Sequence, residues 1–139
     1  MKTKETEILK NILEHLQNLD PPVKKIAVES PDPSMNMAFI DLAKVCYITS
    51  KSDSGRQEAM FVTETNEHFY NNMTLKNIEN LLNEHPHFLR TSKSIIINLT
   101  KVKGFSFSNA RDLWFEGLDE CISNAVTNTY LEKFEAYYG

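Results

Sequence analysis

With four glycines in 139 residues, the chain has little material for a phosphate-cradling loop or a dinucleotide turn. It carries no Walker sequence and no nucleophile elbow. Cysteine is almost as scarce. Cys46 and Cys121 both fall in apolar, strand-like stretches and are read as buried free thiols. A disulfide between them stays open, since it needs Cα atoms within roughly 7 Å. Long apolar runs are missing too, and none approaches the roughly 20 residues of a membrane span. The N-terminus, Met1 to Glu5, is charged and leads into an amphipathic pattern rather than a signal-peptide core, so the expected location is the cytoplasm.

Metal and catalytic constellations are missing as well. His85 and His87 flank Pro86 with neither cysteine nor carboxylate at ligand spacing, and His85 reads as a helix-terminal histidine. Asp41 and Asp53 stand near strand ends, but the chain lacks the parallel α/β pattern of a phosphoacceptor domain. No enzyme activity, metal, cofactor or small-molecule substrate is therefore expected. What remains is a globular composition, 41% hydrophobic and 24% charged, of a length that fits one domain.

One absence is local. From Phe88 to Arg111 there is no acidic residue, while Arg90, Lys93, Lys101, Lys103 and Arg111 are present. The acids gather at Glu64, Glu67, Glu79 and Glu84, and again at Glu116, Asp119 and Glu120. The net charge of −4 weighs against an evenly basic nucleic-acid binder. A protein acidic overall but basic on one face still holds phosphate. The competing reading of the same stretch is a solvated face that happens to lack acids.

Along the chain, Lys4 to Leu19 sets Ile8, Leu9, Ile12, Leu13, Leu16 and Leu19 at helical spacing, and Asp20-Pro21-Pro22 ends that helix. Short strands follow at Val23–Val28, Met37–Asp41, Lys44–Thr49, Glu58–Thr65 and His68–Tyr70, with a polar loop from Ser50 to Arg56. Thr74 caps a helix whose stripe is Leu75, Ile78, Leu81 and Leu82. Strands resume at Ile95–Ile97, Val102–Phe107 and Leu113–Phe115, with a turn at Ser108-Asn109-Ala110. The tail from Ser123 to Tyr137 reads as helix, with Val126, Tyr130, Phe134 and Tyr137 on one face. No internal repeat stands out. The fold class is mainly β with small helices (α+β), divided into an N-terminal segment 1–27 and a domain 28–139.

The segment Phe88-Leu89-Arg90-Thr91-Ser92-Lys93-Ser94-Ile95-Ile96-Ile97-Asn98 places a basic, hydroxyl-rich turn directly before an apolar strand. Cations, hydroxyls and backbone N–H groups are the types that hold phosphates and read base edges. Asn98, after three isoleucines, is a costly buried amide unless fully hydrogen-bonded, which points to a bridge to a neighbouring loop; a strand-ending turn is the alternative.

The helix Thr74-Leu75-Lys76-x-Ile78-Glu79-x-Leu81-Leu82, then Phe88-x-Arg90, the basic turn, Ser94-Ile95-Ile96-Ile97-Asn98 and Val102 together resemble the LytTR-type DNA-binding domain of bacterial response regulators. The likeness runs from about Met37 to Tyr137. It implies an antiparallel β architecture, here with an added N-terminal amphipathic helix, in which loops rather than a recognition helix enter successive major grooves. The DNA-contacting residues it implies are Lys51, Ser52 and Arg56 in a first segment. Arg90, Ser92, Lys93, Ser94 and Asn98 follow in a second, and Ser123 and Asn124 in a third. Two positions depart from the family pattern: Ser92 stands where histidine is usual before the basic residue, and Asn124 where arginine is usual. Losing that arginine removes a bidentate guanine reader, leaving adenine reading, phosphate holding or loss of DNA binding open. The resemblance implies double-stranded DNA as partner. The N-terminal helix, marginal alone, is expected from its apolar stripe to pack against the β domain or to pair with a second copy of the chain. A membrane-bound inhibitor protein is a further partner the resemblance suggests. The alternative function is a protein-interaction adaptor or inhibitor built on a degenerate form of the fold.

Overall fold

Three consecutive isoleucines can all leave water only in a strand covered on both faces. Ile95, Ile96 and Ile97 do so, each contributing about 1.5–3 kcal/mol of burial. The computed structural model describes residues 6–12, 25–53, 56–106 and 111–138. Its strands are β1 (Lys25–Glu29), β2 (Met37–Asp41), β3 (Val45–Asp53), β4 (Arg56–Thr63), β5 (His68–Asn71), β6 (Phe88–Ser92), β7 (Ile95–Asn98), β8 (Val102–Ser106) and β9 (Asp112–Phe115). Helix α1 covers residues 6–12; α2 is Leu75–Leu81 and α3 is Asn128–Tyr138.

All strand pairings are antiparallel. A five-stranded sheet of order β5-β4-β3-β7-β6 lies between two hairpins, β1-β2 and β8-β9. The period-2 alternation of the strands divides the interior into two cores. Ile48, Ala59, Phe61 and Ile96 join Ile26 and Val28 of β1, Leu75 and Ile78 of α2, and Leu82 at its C-cap in one. Val62, Ile95 and Ile97 join Leu113 and Phe115 of β9 and Phe134 of α3 in the other. The mainly-β, antiparallel class expected from the sequence is the class observed. The 27/28 division falls inside β1, which pairs with β2 along its whole length.

A short motif recurs in sequence and in space. Asp41-Leu42-Ala43-Lys44-Val45 and Asn98-Leu99-Thr100-Lys101-Val102 each link one hairpin to the next through a single 3-10 turn. In each, the first side chain caps the turn: Asp41 Oδ1 accepts from the Ala43 N–H (2.9 Å) and Asn98 Oδ1 from the Thr100 N–H (3.1 Å). The lysine carbonyl accepts in both, from Glu64 N–H (2.9 Å) and Glu116 N–H (2.8 Å). This local repeat was missed because only three of its five residues are identical. The copies differ at the cap for a physical reason. Asp41 is exposed and can stay charged, whereas Asn98 is 2% exposed and also donates from Nδ2 to the Val45 carbonyl (2.9 Å). A carboxylate could not donate there, and burying its charge would be costly. The two halves meet at Gly117, in the left-handed region at φ 78°, where a Cβ would collide with the Glu64 carbonyl oxygen.

Several boundaries differ from the expectation. Most of the expected Ser50–Arg56 loop is strand: β3 runs to Asp53 and β4 starts at Arg56, Lys51 opposite Glu58 and Asp53 opposite Arg56, while residues 54 and 55 lie outside the described residues. Phe88–Ser92 is a strand in its own right, paired with β7. Helix α3 begins at Asn128 rather than near Ser123, because tertiary bonds hold the preceding chain. Ile122 exchanges backbone bonds with Leu113, and Thr127 N–H donates to the Thr91 carbonyl (2.8 Å). His85 lies beyond the end of α2, its ring edge-on to Phe88 at 4.9 Å. Burial, and then the neighbouring His87, push its pKa below the ordinary value, the reverse of a dipole-favoured helix-terminal histidine. Cys46 and Cys121 are free thiols, and burial raises Cys46 to about 11. The N-terminal helix is described only over residues 6–12, where Ile8 and Ile12 are exposed; Asp20-Pro21-Pro22 and the expected turn at 108–110 lie outside the described residues. No described helix is long and apolar enough to cross a membrane.

Two outcomes follow from these contacts. Asn98→Ala removes a cap and strands the Val45 carbonyl, so urea unfolding will show a loss of about 2–4 kcal/mol, against about 1 kcal/mol for Asp41→Ala. Because the folded pKa of His85 lies below its unfolded value, the folded state binds fewer protons. Stability is therefore complete above the unfolded value near 6.5 and declines as pH falls from there toward the folded pKa. Melting temperature recorded from pH 7.5 to 5 will fall less steeply in His85→Gln than in the parent chain.

Candidate nucleic-acid interface

The bulged pairing of β6 with β7, between Arg90 and Ser92, creates a tight turn at Lys93-Ser94. Its hydroxyls do not all face outward. Thr91 and Ser92 are buried, and Ser92 Oγ accepts the Ser94 N–H (3.1 Å). Lys93 and Ser94 remain exposed. Arg90 points back into the hairpin. Its Nε donates to the Ser92 carbonyl (3.1 Å), its Nη2 to the Lys93 carbonyl, and its Nη1 meets Glu79 Oε1 of α2 at 3.1 Å. With 17% of its side chain exposed, Arg90 shapes the turn rather than offering a free guanidinium. Asn98 likewise lies inside the fold and acts through position, combining the bridge and the strand-ending turn.

The acid-free stretch is thus not acid-free in space. Arg90 pairs with Glu79, and Lys101 Nζ lies 2.6 Å from Glu64 Oε2. Lys103 donates to the Leu118 carbonyl (3.5 Å) and Arg111 to the Val126 carbonyl (3.4 Å). Lys93, Lys103 and Arg111 have no ion-pair partner among the described residues, and of these three Lys93 is the one whose side chain makes no hydrogen bond there either.

The fold brings the three expected segments together around that lysine. Ser50 N–H donates to the Ser94 carbonyl (3.0 Å), joining the β3-β4 arm to the turn. Thr127 N–H on the Thr91 carbonyl joins the segment before α3 to the same hairpin. Two hollows result. One, of 270 Å³, has Ser50, Lys51, Lys76, Arg90 and Lys93 on its wall. The other, of 460 Å³, has Ser92, Lys93, Ser94, Ser123, Asn124 and Thr127. Lys93 lines both. Lys51 is exposed, its ammonium 5.6 Å from the Tyr70 ring, within cation–π range. Ser52 and Arg56 are placed by backbone register, Ser52 opposite Gln57 and Arg56 opposite Asp53.

Asn124 has a conformational reason of its own. It is exposed at φ 54°, in the left-handed region that asparagine tolerates better than most side chains. Lys76, Thr127 and Thr129 also line these hollows and are not among the candidates the sequence brought forward. Lys76 stands in the sequence only as one position of the LytTR-like pattern, off the apolar stripe, and nothing in linear order says that the start of α2 packs beside β3. Among the described residues, no group of three His, Cys, Asp or Glu side chains could hold a metal ion.

If Arg90 clamps the turn, Arg90→Ala will raise amide exchange at Ser94 about tenfold to hundredfold while leaving Ile96 protected. Glu79→Gln will do far less, since Glu79 is 45% exposed and a surface pair is worth at most about 1 kcal/mol. An equal rise at Ser94 and Ile96 would make Arg90 a general stabiliser instead.

Comparison with known proteins agrees with this geometry. Residues 35–139 match the family model of the LytTr DNA-binding domain. A solved LytTr DNA-binding domain from Bacillus cereus has the same fold, at 18% sequence identity and a TM-score of 0.64, over 84% of this chain and 97% of that one. No curated protein matches the chain. Extending over β2 to α3 and both hollows, the match shows that this chain belongs to the LytTR family of DNA-binding domains.

Proposed function

We propose that the chain is a sequence-specific transcription regulator that grips double-stranded DNA in the major groove through the β3-β4 arm, the Lys93-Ser94 turn and the segment before α3. The observation that carries this reading is the convergence of all three on Lys93, which belongs to both hollows. Cations, hydroxyls and a side-chain amide stand side by side there, the mixture that positions a protein on phosphates and reads base edges. In this reading Lys51 and Lys93 hold phosphate, and Ser94, Ser123 and Asn124 face the bases. Arg90, Ser92 and Asn98 keep the surface in shape from behind. Exposed Ile8 and Ile12, one turn apart on α1, supply an apolar stripe for pairing with a second copy.

Binding to DNA from its own promoter, measured at several salt concentrations, tests the proposal. With about five phosphates contacted, log K will fall against log salt with a slope near −4.5. Lys93→Ala will weaken binding to all sequences and make the slope shallower by about 1. Lys44→Ala, in a separate hollow with Glu64 and Glu67, will leave it unchanged. Asn124→Gly keeps the left-handed backbone without the amide and will relax preference at one base pair. No binding at ~50 mM salt would favour the adaptor reading.

A further inference from the structure

The smaller hollow contains more positive charge than the three segments alone bring to it. Lys76, from α2, joins Lys51 and Lys93 around a volume of 270 Å³, with the Arg90 guanidinium in the wall. All three lysines are exposed, and among the described residues none has a carboxylate within ion-pair distance. Arg90 alone is neutralised, by Glu79. Neutral donors complete the rim. Ser50 is exposed, and the Thr74 hydroxyl accepts the Asn77 N–H (3.2 Å), which leaves its own hydrogen to donate outward. The hollow has room for a tetrahedral phosphate and several waters, each of which takes about 30 Å³.

Three like charges around one small hollow repel each other until an anion enters. We propose that this hollow is a phosphate seat and that Lys76 is a phosphate-contacting residue, making α2 a fourth element of the interface. The proposal rests on the DNA-binding reading for the source of the phosphate. The seat lies on the α2 side of Lys93, and the hollow with Ser123 and Asn124 lies on the other. A DNA backbone phosphate held by Lys51, Lys76 and Lys93 would set the register in which the second hollow meets the bases.

The test uses the full chain and Lys76→Gln, with Lys44→Gln as control. Lysine and glutamine have similar helix propensity, so the exposed exchange keeps α2 intact. One arm titrates inorganic phosphate at constant ionic strength and follows backbone amide shifts. The other measures the salt dependence of promoter-DNA affinity in chloride. Saturable shifts at Ser50, Lys51, Lys76 and Lys93 that vanish in Lys76→Gln are expected. So is a DNA slope shallower by about 0.9 in Lys76→Gln but unchanged in Lys44→Gln. The slope change without free-phosphate shifts also supports the seat, as one that takes DNA phosphate only. If the parent chain binds DNA and Lys76→Gln alters neither readout, the seat is overturned and the DNA reading stands. If phosphate shifts vanish in Lys76→Gln but no DNA is bound, the seat stands and the DNA reading falls. Absence of both responses in the parent chain overturns both.

Discussion

The amide of Asn98 sits where four parts of the fold must agree. Its nitrogen donates to the carbonyl at the start of β3, and its oxygen accepts from the backbone and hydroxyl of Thr100, inside the turn that leads to β8. Because the group is buried, each of these bonds is obligatory: an orphaned polar atom there would cost about 1–3 kcal/mol. The amide therefore fixes β7 against β3 and starts the second hairpin in one direction. The Lys93-Ser94 turn is at the other end of the same strand, roughly 10 Å away at strand rise. Displacing Asn98 would move the whole basic surface.

Charge in this protein is arranged by pairing more than by composition. Glu79 and Glu64 come from outside the acid-free stretch and settle on Arg90 and Lys101. These pairs are partly exposed and add little to stability. Their effect is to subtract charge from some positions and leave it at others. Lys93 stays unpaired and, with Lys51 and Lys76, forms a concentrated positive hollow on a molecule whose net charge is −4. A field of that kind attracts phosphate at close range while the acidic remainder opposes nonspecific adhesion.

The recurrence of Asp41–Val45 in Asn98–Val102 shows how one local solution serves two environments. An Asx cap, a buried leucine and a lysine carbonyl that receives the next strand make the same corner twice. At the exposed corner the cap is a carboxylate. At the buried corner it is an amide, which can both donate and accept. The glycine at 117 is the price of setting the second corner close against the end of β4.

Local pattern was enough for much of this. Short apolar runs located β2, β7 and β9, the Thr74 cap and its stripe located α2, and the likeness to the LytTR pattern named the family. These signals are legible because burial repeats every second residue in a strand and every third or fourth in a helix. Where the signal was ambiguous, tertiary contacts decided. Ser50–Arg56 reads as a polar loop, yet inter-strand pairing extends β3 to Asp53 and begins β4 at Arg56. Ser123–Thr127 reads as helix, yet backbone bonds from Ala125 to Arg111 and from Thr127 to Thr91 hold it out of one. The site divided in the same way. Sequence alone brought forward Lys93, Ser94 and Asn124 as candidates and marked Asn98 as an amide in need of partners. Only the folded chain placed Arg90 on Glu79, buried Ser92 and brought Lys76 beside Lys51, because electrostatics acts through space and the linear order carries no distances.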